Sequence, residues 1–81
     1  MELKDTIELM ESKDYKERFR DEYYQTKIRY DKLSKMIVKW EAGTLNFAPT
    51  CALSVFKDQL NAMKDYLHIL EIRAEIEEVE L

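Results

Sequence analysis

Two apolar seams run along the chain, one on each side of a short break. Phe19, Tyr23, Thr26, Tyr30, Leu33, Ile37 and Trp40 follow one another at spacings of 4, 3, 4, 3, 4 and 3, with Tyr15 one step earlier. Side chains so spaced lie on one face of a helix and, sustained over several turns, form a coiled-coil-like seam. The pattern predicts a helix over about 13–42, on the order of 45 Å long at about 1.5 Å per residue. After the break, Leu53, Phe56, Leu60, Met63, Leu67, Leu70 and Ala74 repeat at 3, 4, 3, 4, 3 and 4, which predicts a second helix over about 52–77. The break, residues 43–51, holds the single glycine, Gly43, and the single proline, Pro49. Gly43 suits the left-handed conformation that ends a helix, and Thr50 or Ser54 offers an oxygen to cap the next one.

The seams match in length and phase. Folding at the corner sets Trp40 near Leu53, Ile37 near Phe56, Tyr23 near Leu70 and Phe19 near Ala74, so bulky Tyr23 and Phe19 face the narrower Leu70 and Ala74. Upstream, Leu3, Ile7 and Met10 share one face of a short helix over about 3–10. A helix of that length does not hold alone in water, so it is expected to dock, and Ser12 is placed to cap the long helix that follows. The second long helix carries a surplus: Val55, Ala62, Tyr66, Ile69, Ile72 and Ile76, with Val79 beyond, form an apolar stripe that the hairpin partner does not cover. Those six residues are the expected oligomer interface. The expected fold is a single all-α domain over 1–81. It consists of a short N-terminal helix and a long antiparallel two-helix hairpin, assembled into a helical homo-oligomer.

Charge sharpens this layout. The net charge of −4 hides blocks of −3 over residues 1–22, +4 over residues 27–39 and −4 over residues 67–81, so a hairpin is basic near its corner and acidic at its open end. Such a dipole favours head-to-tail contacts between copies or an anion held near the corner. The acids Glu75, Glu77, Glu78 and Glu80 sit at the negative end of the second helix, which is expected to fray unless basic groups of another copy meet it. Charged residues make up 37% of the chain, no apolar run reaches the roughly 18 residues of a membrane span, and MELKDTIELM has acids where an export signal is apolar. A single cysteine fits a reducing cytosol. The expectation is a cytoplasmic protein with no membrane partner and, being acidic without helix-turn-helix spacing, no duplex DNA partner.

Candidate chemistry is sparse. One histidine, His68, lies off the seam and reads as a surface residue, and Cys51 reads as a small residue filling the corner. Neither supports catalysis or a metal site, and one glycine builds no phosphate loop, so neither an enzyme nor a cofactor is expected. Lys32, Lys35 and Lys39, with Arg29 one turn before, form a basic outer stripe that suits phosphates, although a solvated face is the commoner meaning of such a stripe. Thr44, Asn46 and Thr50 stand beside Phe47 and Trp40 at the corner. They suit a small polar ligand, or they satisfy loop backbone while Leu45 and Phe47 plug the hairpin end; both readings stay open.

The segments DYKERF, EYYQTKIRYDKL, AGTLNFAPTC and QLNAMKDYLHILEIRAEIE resemble a family of small helical proteins of phages and prophages, including those of Firmicutes and crAss-like phages. That family is similar in layout to the phage anti-CBASS sponges, oligomers that bind the cyclic nucleotides of host defence. The resemblance implies a phage anti-defence protein, working in the bacterial host cytoplasm, that sequesters a cyclic oligonucleotide or related nucleotide messenger without catalysis. Under that reading Tyr15, Tyr23 or Tyr24 stacks on bases, Arg18, Lys27 or Arg29 meets phosphates, and Thr44, Asn46 or Thr50 supplies hydrogen bonds. Two readings from other classes stand beside it: a module that blocks a host protein, and a phage assembly accessory.

Overall fold

The computed structural model describes residues 13–81, so the expected helix over 3–10 and the Ser12 cap lie outside the described residues. Two helices, α1 (Lys13–Ala42) and α2 (Leu53–Glu77), pack antiparallel as a hairpin about 55 Å long. No strand occurs among the described residues.

Every seam position is buried or half-buried, and at the corner Trp40 packs on Phe56, one turn along α2 from the Leu53 that the spacing pairs with it. Tyr15 reaches Glu77, Tyr23 reaches Glu71, and at the other end Trp40 packs edge-on against Phe56 with ring centroids 6.0 Å apart. The closed core gathers at the open end, where Phe19, Tyr23, Leu67, Leu70, Ala74 and Val79 form one cluster. Toward the corner only Ile37 is fully buried. Two helices have too little mutual surface to seal both ends, so the corner half keeps its large side chains half-exposed.

Both helices stop by the same device. At the end of α1, Gly43 takes φ +77°, its N–H donates to the Trp40 carbonyl at 3.1 Å, and the Thr44 N–H donates to the Lys39 carbonyl at 2.9 Å. This paired closure satisfies carbonyls that the helix end would otherwise leave open. An added Cβ at Gly43 would meet no atom within 4 Å, so Gly43→Ala is a pure backbone test. It is expected to lower unfolding free energy by about 1–2 kcal/mol in urea titration, the cost of placing an L-side chain in left-handed geometry.

At the end of α2, Glu78 occupies the left-handed position with φ 57°, and the Val79 N–H donates to the Ala74 carbonyl at 2.8 Å. That turn swings Val79 into the core. Sequence spacing had continued the outer stripe to Val79, but the helix ends first and the side chain is 6% exposed. The α2 start also differs from expectation: Ala52, in extended geometry, precedes it with no side-chain cap, so neither Thr50 nor Ser54 serves. Cys51, expected to fill the corner, is exposed.

The acidic end of α2 meets basic groups of its own chain. Arg73 pairs with Glu77 at 3.1 Å, and Lys16 of α1 donates to the Glu78 carbonyl at 3.4 Å. Cation and hydroxyl donors from α1 thus meet the negative helix end.

Candidate ligand site

The residues named from sequence fall at the open end, the middle and the corner of the hairpin. Tyr15, Tyr23 and Tyr24 lie at the open end, where their hydroxyls fasten α1 to the end of the chain. Tyr15 donates to Glu77 at 2.5 Å and accepts from Arg73 at 2.8 Å. Tyr23 donates to Glu71 at 2.7 Å, and Tyr24 donates to the Leu81 carbonyl. The Arg73 guanidinium also lies over the Phe19 ring, 5.0 Å from its centroid. An open cleft of about 830 Å³ beside Tyr23 is lined by Glu71, Glu75, Glu78 and Glu80, whose field disfavours an anion.

Tyr23 is 9% exposed, and its hydrogen bond to Glu71, aided by burial, pushes its pKa to about 12. The folded-state value lies above the unfolded value of 10.0, so the associated stability is present below pH 10 and is lost as pH rises toward 12. Stability measured by denaturant titration is expected to fall across that window, by on the order of 2 kcal/mol in excess of Tyr23→Phe, which has no hydroxyl to ionise. Tyr15 and Tyr66 are also raised, and tyrosine absorbance at high pH is expected to lose part of its late-titrating amplitude in Tyr23→Phe. Glu77 shifts the other way: the Tyr15 hydroxyl holds its carboxyl below the usual range, giving stability that is present above the unfolded pKa and lost at more acidic pH.

Midway along the hairpin, Lys27 pairs with Asp31 at 3.5 Å and lies over the Tyr30 ring, 5.4 Å from its centroid. A neighbouring groove of about 380 Å³ mixes Lys27 and Lys64 with Asp65 and Glu71, so its charges offset. Exposed Arg29 donates to Thr26 at 3.4 Å, and Arg18 is exposed.

The corner differs in kind. Lys32, Lys35 and Lys39, spaced by 3 and 4 on α1, share one face with Met36, and the closure at Gly43 turns the following loop back over them. Leu45, Asn46 and Phe47 of that loop complete a groove of about 320 Å³ whose lining, among the described residues, has three cations and no carboxylate. Phe47 is 55% exposed, so it does not plug the hairpin; its ring stays available on the rim. Trp40 turns to the seam instead, against Phe56. The Thr44 hydroxyl faces the Lys39 carbonyl at 3.4 Å and belongs to the helix closure, while Thr50 is exposed.

Of the nine residues named from sequence, the groove therefore includes only Asn46. Its lysines appeared in the sequence as a separate stripe and Phe47 as a loop residue; their convergence depends on the loop path, which carries no periodic signal. Three ammonium groups beside an aromatic face and an amide can hold phosphates, stack on a ring and read its edge.

Fold and groove together define a small all-α hairpin with a basic, aromatic-rimmed groove at its closed end. A sequence model of the Sequestin family matches residues 13–76, most of both helices and the whole corner. The chain belongs to the Sequestin family. No curated protein and no solved structure matches it. Among the described residues, no helix is long and apolar enough to cross a membrane.

Proposed function

We propose that this protein captures a nucleotide signal in the corner groove and holds it without chemical change. The carrying observation is the conjunction of Lys32, Lys35 and Lys39 with exposed Phe47 and Asn46, in a lining free of carboxylate among the described residues. Lysines neutralise phosphate, while a ring and an amide engage a base, and together these select a nucleotide over a bare anion. The family's name, Sequestin, speaks of sequestration and agrees with capture. Among the described residues the lining offers ammonium, ring and amide groups, which suit holding a ligand, and the reading is binding without turnover.

In the setting implied by the phage resemblance, the captured molecule is a cyclic oligonucleotide or related messenger of host defence, removed from the host cytoplasm by a phage-encoded protein. The protein works as a homo-oligomer, whose contact is the α2 stripe that the hairpin leaves exposed. Calorimetry with cyclic dinucleotides, cyclic trinucleotides and nucleotide-ribose signals tests the reading. Saturable heat from at least one, with the nucleotide recovered intact, is expected; no heat from any of them ends it. The competing reading, a module that blocks a host protein through the exposed stripe, predicts no such heat.

A further inference from the structure

The outer stripe of α2 has a symmetry that the hairpin does not use. Val55, Ile69, Ile72 and Ile76 are exposed large apolar side chains on the helix side away from the α1 seam, with exposed Ala62 among them, while Tyr66 lies at the edge of this stripe and donates its hydroxyl to Glu22 of α1 at 3.2 Å. Val55 and Ile76 are equidistant in sequence from the point between Asp65 and Tyr66. Ala62 and Ile69 are equidistant from the same point, and so are Asp58 and Arg73.

We propose that two copies of the chain pair antiparallel through this face of α2, about a two-fold axis passing between Asp65 and Tyr66. This rests on the homo-oligomer reading and adds its geometry; it does not depend on the ligand. A two-fold contact is self-complementary, so each position must suit the one at the mirrored distance from the axis. Two apolar pairs of the stripe meet that demand. Val55 of one copy faces Ile76 of the other at both ends, and small Ala62 leaves room for Ile69 near the middle. Asp58 comes level with Arg73, but that guanidinium is engaged by Glu77 and Tyr15 of its own chain, so the apolar pairs carry the fit.

Charge selects the direction. The hairpin carries +4 over residues 27–39 and −4 over residues 67–81, so antiparallel copies set each basic half beside the other's acidic end. Parallel copies would align acidic end with acidic end and basic with basic, which is unfavourable. A second copy therefore fits this surface in charge as well as in apolar pattern, with the groove lysines left on α1.

The test uses the full chain with Cys51→Ser and new cysteines at exposed positions, where folding tolerates them. Asp65→Cys alone, next to the axis, is expected to form a disulfide-linked dimer in high yield under mild oxidation. Val55→Cys alone is expected to give at least tenfold less, and Val55→Cys with Ile76→Cys is expected to restore it. A Val55→Cys yield equal to that of Asp65→Cys indicates parallel pairing and overturns the proposal while leaving self-association standing. A monomer mass by light scattering overturns both.

Discussion

Leu70→Ala is expected to cost about 3 kcal/mol of unfolding free energy. Leu70 is 2% exposed, at the centre of the cluster with Phe19, Tyr23, Leu67, Ala74 and Val79. Removing its branched end forfeits transfer free energy and leaves a cavity that a two-helix scaffold cannot close, since Tyr23 and Tyr15 hold α1 in place through Glu71 and Glu77. Domains of this size have total stabilities of about 5 kcal/mol or slightly more, so the variant is expected to be unfolded in a sizeable fraction at 37 °C. Urea titration at fixed protein concentration measures it. A shift below about 1 kcal/mol would mean that the core lies elsewhere. Leu53→Ala, half-buried at the looser corner end, is expected to cost less.

The second large effect concerns the groove. Lys32→Glu with Lys39→Glu is expected to weaken nucleotide binding by about 100-fold or more, because two charge-assisted contacts of about 1.5 kcal/mol each are lost. The affinity that remains is expected to depend less steeply on salt, as fewer cations meet phosphate. Both positions are exposed on α1, away from the seam, so helical content and thermal midpoint are expected to stay near those of the unchanged chain. Arg18→Glu, at the open end, is the control and is expected to leave affinity within about twofold, because its distance from the groove exceeds the screening length of roughly 8 Å.

Much of the fold was legible because helical spacing is a local code. Phe19 through Trp40 and Leu53 through Ala74 each declared a face, and the two faces had one way to meet. Gly43 declared the corner through its tolerance of positive φ. Where such signals stopped, so did the reading. Glu78 takes the left-handed role with no glycine to announce it, so the turn that buries Val79 was invisible and the stripe was extended one step too far. Ala52 precedes α2 in extended geometry with no side-chain oxygen to mark it.

The site was less legible for a related reason. Tyr15, Tyr23 and Tyr24 were chosen because aromatic rings suit bases, yet their hydroxyls are engaged by Glu77, Glu71 and the Leu81 carbonyl, partners 62, 48 and 57 residues away. Residue type does not reveal such partners. The lysine stripe was visible at its spacing, but the loop that brings Asn46 and Phe47 over it follows turn geometry, which is not periodic. The charge dipole was the better guide, since it placed the basic half of the hairpin at the corner where the groove lies.

Binding at the corner groove is the central claim, and an amide-resolved NMR titration of the unchanged protein with the tightest nucleotide of the calorimetric panel tests it most directly. The largest shift changes are expected at Lys32, Lys35, Lys39, Asn46 and Phe47, with Tyr15, Arg18 and Tyr24 nearly unmoved. Changes concentrated at Tyr15, Arg18 and Tyr24, with the corner silent, would contradict it.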